Sequence, residues 1–446
     1  MKRILLITIL LIPLLYGCKK DPDPVPDEYT FDERARDGLY DFMKVYYLWY
    51  DKMPTVKLSN YAGPAELLEA VRYLPVDKWS FVWPWEKFIA VYEEGSFVGH
   101  GLQAALDAQN NVRIVHIFER SDLWPKGVRR GWIIKKINGT DAAPVYISGD
   151  EVAYNALWGP STAGITNTLL FQKPDGTEVT LSSTKASLII NTVTADTVYE
   201  RSGRKIAYFV FENFVGTAGE ELDAVFASFK QKGATDLIVD LRYNGGGYVD
   251  VAAQLASLIV SNSYTDKVCY KIRANSLIGP EWNEDYNFIT TTSPLDLTKA
   301  VFITTNGSAS ASELVINSLK PYIDVTIVGD DTYGKPAGQS IVGYPFPTTS
   351  VPEPEETYAF GIITFEYLNS LDEGRFYDGI APDVRANDDI TRDYGDTEEL
   401  SLKAALAVIE GTKSGPAMPF RRNTIWSEKD ETPVLLMPVH SIIEKK

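Results

Sequence analysis

The sequence predicts an α/β protein, and three observations carry that expectation. First, Ile206 to Phe211 and Leu237 to Asp240 are apolar runs, and between them Leu222, Val225, Phe226 and Phe229 repeat at helical spacing up to Gly233. Strand, helix, strand in that order implies a right-handed βαβ unit. Second, the pattern recurs from Ala300 to Val328. Ala300 to Thr305 reads as a strand, Ala311, Leu314, Val315, Ser318 and Leu319 as one helix face, and Val325 to Val328 as a buried strand rich in β-branched residues. Third, 446 residues with 45% apolar content suffice for two to three domains with their own cores. The net charge of −17 argues against a nucleic-acid partner.

Residues 1–17 read as a signal peptide, with Lys2-Arg3 as the positive region and Ile4 to Leu15 as an apolar stretch too short to span a bilayer. Leu15-Tyr16-Gly17-Cys18 resembles a bacterial lipobox, which implies lipidation at Cys18 and attachment to a membrane there. An ordinary cleaved signal or a short anchor is the alternative. Lys19 after the cysteine resembles outer-membrane lipoproteins, so the expectation is a cell-envelope lipoprotein of the outer membrane, facing periplasm or cell surface. Residues 18–29 form a proline- and charge-rich tether. With two cysteines in the chain and Cys18 acylated, Cys269 has no intrachain partner and is expected as a small buried side chain. No Cys/His cluster offers a metal site, and no cofactor is expected.

Residues 30–94 read as an N-terminal helical region. Thr30 to Glu33 has the form of a capping box, Leu39, Phe42, Tyr46 and Trp49 supply an apolar face, and Pro64 opens a second helix with Leu67, Leu68 and Val71 inward. Leu400 to Ile409 is a further helix, with Leu402, Ala405, Leu406 and Ile409 on one face. The segment 411–446 either docks as a strand or remains mobile.

The chemistry concentrates between Asn306 and Gln339. Ser308, Ser310 and Ser312 alternate in a small-residue turn before the helix, and Thr332-Tyr333-Gly334 presents Lys335 after the following strand. A helix-then-strand return can bring Lys335 beside the helix start. A serine hydroxyl needs a base before it attacks, and His100, His116 and His440 accompany no nucleophile motif. A buried lysine can take that role, but lowering it from about 10.4 to about 7–8 requires about 4 kcal/mol from the fold. Helix-terminal N–H groups would serve a developing oxyanion. Spacing alone leaves open a Ser-rich helix cap and a surface lysine in a turn. Asp240-Leu241-Arg242-Tyr243-Asn244-Gly245-Gly246-Gly247 ends a strand, and its glycines let backbone N–H groups approach a ligand. Neither dinucleotide nor Walker spacing is present, which argues against a nucleotide site.

S-A-S-A-S-E at Ser308–Glu313, T-Y-G-K at Thr332–Lys335 and D-L-R-Y-N-G-G-G at Asp240–Gly247 resemble the signatures of the C-terminal processing peptidases, or tail-specific proteases. Gly379-Ile380-Ala381-Pro382-Asp383 matches that family's closing motif. The resemblance implies a crotonase/ClpP-like ββα-spiral core at 200–410, an inserted or preceding PDZ domain, and the N-terminal helical cap. It implies Ser310 as nucleophile, Lys335 as base 25 positions on, and Gln339 orienting the lysine. The oxyanion donors are then Ala311 and Gly246, with Gly247 as the alternative because Gly245 replaces the family's proline or serine. Pro336 and Trp132 also depart from the family pattern.

Residues 95–190 resemble a PDZ domain. Gly99, His100, Gly101 and Leu102 stand where such a module binds a terminal carboxylate, and Gly127 to Gly139 fits its helix-turn-strand. Strand addition at a sheet edge would then select polypeptides by a free C-terminus. The expected function is a Ser-Lys serine endopeptidase. A lipid-anchored peptide-binding protein without proteolysis is the alternative, and an esterase on the same core is a third reading.

Overall fold

The computed structural model describes residues 29–412, apart from 75, 349, 352 and 353, together with Thr424 and Ile425. The expected signal peptide, Cys18 and nearly all of the tether lie outside the described residues.

The N-terminal region holds α1 (Phe31–Tyr46), α2 (Pro64–Val71), β1 (Phe81–Pro84) and α3 (Trp85–Phe88). Thr30 Oγ1 accepts from Glu33 N at 3.2 Å, and Glu33 Oε2 accepts from Thr30 N at 2.8 Å, the reciprocal cap that the sequence predicts. The apolar residues of α1 that are buried are Ala35, Leu39 and Met43, so of the expected face Leu39 is buried, Phe42 and Trp49 pack partly buried against the same core, and Tyr46 stays outside it. Tyr46 stacks on Phe42 at 4.7 Å, and the helix stops at Tyr46 before Trp49 is reached. The region is more than a cap, because β1 pairs with residues 358–361 of the core.

A second unit follows: β2 (Ser96–Gly99), β3 (Leu102–Leu106), β4 (Val112–Ile117), β5 (Ile133–Ile137), β6 (Thr140–Asp141), α4 (Ala142–Ser148), α5 (Glu151–Trp158), β7 (Thr166–Gln172), β8 (Glu178–Thr184) and β9 (Ala186–Ile189). β3, β4, β5, β7 and β8 form an antiparallel sheet in that order, and β2 pairs with β9. Asn138 and Gly139 have φ of 50° and 83°, the left-handed pair that a two-residue hairpin between β5 and β6 requires. Ile114, Ile134, Leu169, Phe171 and Trp158 share its core.

The rest comprises β10 (Val193–Arg201), β11 (Arg204–Phe211), α6 (Ala218–Lys232), β12 (Asp236–Asp240), α7 (Val249–Ile259), β13 (Val268–Ala274), α8 (Gly279–Trp282), β14 (Glu284–Asn287), β15 (Lys299–Thr304), α9 (Ala311–Leu319), β16 (Asp324–Gly329), β17 (Ala337–Tyr344), β18 (Tyr358–Leu368), β19 (Val384–Arg385), α10 (Leu400–Glu410) and β20 (Thr424–Ile425). One sheet runs β10-β11-β12-β15-β16-β19, parallel from β11 onward. Successive side chains alternate faces, so Phe209 and Phe302 pack with α6, α7 and α9, whereas Tyr208, Ile238 and Ile303 pack with α10. The second sheet is antiparallel, β1-β18-β13-β14, with β17 hairpinned onto β18. Cys269 lies buried in β13, and burial pushes its thiol up to about 12.

Arg242 is fully buried behind the glycine loop. It reaches Asp240 at 2.6 Å, Asp388 at 2.8 Å and Glu399 at 2.9 Å. Arg130 of the second unit reaches the same Asp388 at 2.6 Å, and the Tyr243 hydroxyl also donates to it. Buried charges persist only when paired in this way. The cluster fixes the loop that begins at Asp240 and ties the second unit to it.

Candidate active site

β15 delivers the serine turn to the start of α9. The outer serines are tied down: Ser308 Oγ donates to Leu241 O at 2.7 Å and Ser312 Oγ to Asn244 O at 2.9 Å. Ala309 N donates to Asn244 O at 3.0 Å, so the turn is stitched to the glycine loop along its length. Ser310, between them, has φ of +58°, a left-handed conformation unusual for a side-chain-bearing residue and costing about 1–3 kcal/mol. Its N–H donates to Glu313 Oε2 at 2.8 Å, and the residue is fully buried.

The same carboxylate holds the lysine turn. Glu313 Oε1 accepts from Thr332 Oγ1 at 2.5 Å and Gly334 N at 2.7 Å, and Oε2 accepts from Lys335 N at 2.9 Å. Gly334 has φ of +93°, and a Cβ there would lie 2.4 Å from Tyr377 O, so only glycine closes this turn. Ser310 and Lys335 are therefore brought together through Glu313. The signal in the sequence is an acidic residue three positions after a serine helix cap, a capping pattern that by itself predicts only a helix start.

Lys335 Nζ donates to Gln339 Oε1 at 3.0 Å. Gln339 Nε2 donates to Trp79 O at 2.5 Å and Gly361 O at 3.3 Å, which turns its carbonyl toward the lysine. Burial holds the Lys335 ammonium well below the usual lysine range, opposed by the carboxylates of Asp77 and then Glu313. Asp77 comes from the N-terminal region and is itself buried, accepting from Trp79 N at 3.0 Å, Ser80 N at 2.9 Å and Tyr47 Oη at 2.7 Å. Nothing in its local sequence marked it, because the link to Lys335 exists only once β1 joins β18. Its charge raises Lys335, so Asp77→Asn should move the acid limb of kcat/KM to lower pH. A limb that stays in place or rises would show that Asp77 has no hold on the amine.

Gly246 packs against this centre. A Cβ at Gly246 would lie 2.8 Å from both Ala311 N and Ser310 Cβ, which places the two expected oxyanion residues side by side. The Gly246 N–H, however, donates to Asn244 Oδ1 at 2.9 Å. Tyr367, a buried phenol raised well above its ordinary value by desolvation, neighbours Ser310, whose hydroxyl acts in the opposite direction. As one aromatic residue among many in an apolar strand, it carries no distinguishing signal in the sequence.

Gly99, His100, Gly101 and Leu102 lie on a different sheet, at the turn from β2 into β3. His100 Nδ1 is 2.8 Å from Ser183 Oγ, which donates to Asp122 Oδ1 at 2.6 Å. Burial, with Lys185 nearby, pushes His100 down to about 4, and Asp122 opposes the shift. The folded value lies below the unfolded one of about 6.5, so its stability contribution is complete above pH about 6.5 and is lost as pH falls through about 4. The contribution is at most roughly 3 kcal/mol. His100→Asn should remove that part of the acid destabilisation, read as a smaller fall in unfolding temperature between pH about 7 and about 4. Parallel curves for variant and wild type would refute it.

Residues 205–386 match Peptidase family S41 and residues 34–81 match the Peptidase S41 N-terminal domain, together just over half of the chain. The carboxy-terminal-processing protease of Bartonella bacilliformis is 27% identical over 259 residues, which cover 56% of this chain and 54% of that protein. The carboxyl-terminal-processing protease of Picosynechococcus is 24% identical over 258 residues, covering 58% and 59%. The chain thus spans little more than half the length of these curated relatives. A crystal structure assigned as an S41 protease from Bacteroides fragilis superposes with a TM-score of 0.68 over 88% of this chain and 99% of that one, at 21% identity, which shows the shared fold. On these matches the chain belongs to peptidase family S41, the serine-type family built on a Ser-Lys dyad.

Proposed function

We propose that this chain is a serine endopeptidase of the C-terminal processing type, with Ser310 as nucleophile and Lys335 as general base. The observation that carries the reading is the fully buried Lys335, whose amine is held by Gln339 and favoured in its neutral form, clamped through Glu313 to the Ser310 turn. Neutral Lys335 takes the Ser310 proton as the oxygen attacks the scissile carbonyl. The tetrahedral oxyanion is met by Ala311 N–H and by Gly246 or Gly247 N–H. Lys335 then returns the proton to the leaving amine, and water hydrolyses the ester left on Ser310. Ser310 is shut from solvent and Gly246 N–H is directed to Asn244, so productive binding requires the 244–247 loop to open and re-aim that N–H.

In this reading residues 95–190 act as a PDZ module that accepts a polypeptide with a free C-terminus at the Gly99–Leu102 turn. The reading also carries the lipid anchor at Cys18 and an outer-membrane address. The test is hydrolysis of a peptide with a free C-terminus by wild type and by Ser310→Ala. Product from wild type alone supports the assignment, and equal product from both removes Ser310 from the chemistry. A peptide that binds but is never cut by wild type would favour the binding-only alternative.

A further inference from the structure

We propose that Tyr367 is a further catalytic residue of this site, whose phenolic O–H donates to the Ser310 oxygen whenever that oxygen bears negative charge. The inference rests on Ser310 as the nucleophile. β18 sets the tyrosine in place: Tyr367 N donates to Pro336 O at 3.0 Å, so its backbone holds the residue that follows Lys335. Its hydroxyl stands against Gly338, between Lys335 and Gln339 in the chain. A Cβ at Gly338 would lie 2.6 Å from the phenolic oxygen and 2.0 Å from Phe365 Cε2, so the glycine makes room for both rings.

Tyr367 is fully buried, and among the described residues its hydroxyl has no hydrogen-bond partner of good geometry. The Ser310 hydroxyl nevertheless acts on it from close by. Catalytic hydrogen bonds often stand loose in this way until substrate arrives. Packing alone does not call for the oxygen. Phe365 lies on the same face of β18, and its ring meets that of Tyr367 at 5.3 Å. Phenylalanine in the second position would fill the same slot without burying an unmatched hydroxyl, which is a costly group to leave so.

The state of the phenol decides what it offers. Burial pushes it well above its ordinary value, so it stays protonated and acts as a donor, not as a base. Ser310 must point its own proton at Lys335, which leaves the lone pairs of the serine oxygen for a donor. The Ala311 and glycine N–H groups are committed to the carbonyl oxygen of the substrate in that mechanism. The serine oxygen gathers negative charge twice. It does so as its proton leaves for Lys335 during attack. It does so again in hydrolysis of the ester, when the acyl carbon–oxygen bond breaks, its electron pair returns to the Ser310 oxygen, and Lys335 delivers there the proton it took from water. Tyr367 keeps its own proton throughout. A hydrogen bond to an anionic oxygen is stronger than one to a neutral hydroxyl, so the donor favours both transition states over the states that precede them.

Tyr367→Phe is compared with wild type and Ser310→Ala. It should keep or raise the melting temperature and cleave a peptide with kcat lowered about 10–10²-fold at unchanged KM. With a peptide p-nitrophenyl ester, hydrolysis of the acyl-enzyme should slow by the same order, read as a longer-lived acyl group on Ser310 by mass spectrometry. Tyrosines bearing one to three ring fluorines, placed at position 367 alone, grade the donor strength within nearly one volume. Acyl-enzyme hydrolysis should quicken with phenol acidity across that series, which decides the question by itself if Tyr367→Phe does not fold. Wild-type kcat in Tyr367→Phe, or a flat fluorinated series, overturns the role of Tyr367, and an inactive Ser310→Ala beside either result leaves the nucleophile standing. Hydrolysis by Ser310→Ala at the wild-type rate removes the nucleophile and this inference together.

Discussion

Lys335→Met is expected to lower kcat/KM by about 10²–10⁴, the part of the rate that a positioned proton acceptor supplies. Methionine keeps the length and apolar stem of the side chain but offers no basic nitrogen to Ser310. A second readout separates this from simple damage to the fold. Burial depresses the folded-state pKa of Lys335, with Asp77 and Glu313 opposing it. Between that value and about 10.4 the unfolded chain binds a proton that the folded chain does not. Its contribution to stability is therefore complete above about 10.4 and is lost as pH falls through the folded value. The methionine variant lacks this term, so it should gain stability relative to wild type as pH is lowered from about 10 to about 6. Urea midpoints at both pH values measure it. A stability difference independent of pH would mean that Lys335 is charged in the folded protein, and the general-base role would fall with it.

Glu313→Gln is expected to destabilise the protein by about 2–5 kcal/mol and to reduce hydrolysis by about 10² or more. Four donors converge on this buried carboxylate: Ser310 N, Thr332 Oγ1, Gly334 N and Lys335 N. An amide has one carbonyl oxygen, so either the Ser310 and Lys335 N–H groups or the Thr332 and Gly334 donors must face an NH₂. Each buried donor left unmatched costs about 1–3 kcal/mol. If the amide turns its NH₂ toward Ser310 and Lys335, the clamp that sets their separation opens, and misplacement by an ångström is enough to lose about two orders of magnitude. Denaturant midpoint and peptide turnover measured on one preparation decide the matter. A variant with wild-type stability and turnover would show that the two turns are held by other contacts.

The core strands and helices were legible because their patterns are local. The 222–229 helix repeat, the β-branched run at 325–328 and the glycine after α6 each answer to a short-range rule, and α6 does end at Gly233 with a left-handed φ of 73°. The face of α1 is legible only in part: Leu39, Phe42 and Trp49 meet the core, but Ala35 and Met43 complete its buried stripe, and Tyr46 packs sideways on Phe42 and Trp282. The helical pattern of the N-terminal region predicts a cap, and the structure adds to it the donation of β1 to the second sheet and of Asp77 to the neighbourhood of Lys335. Strand pairing between residues 81–84 and 358–361 spans most of the chain, and no local pattern encodes a partner so distant.

The amino-acid order alone determined which residue types were available for chemistry and how far apart they stood. It supplied a serine ready to cap a helix, a lysine in a glycine turn 25 positions later, and a glutamine four beyond that. Tertiary structure decided their state. It removed the lysine amine from water, aimed the glutamine through Trp79 O, spent the outer serines on loop carbonyls and bound two turns to one carboxylate. Proton affinity and reach depend on desolvation and on which groups face one another across the fold. Those are properties of a packed interior, not of spacing along a chain.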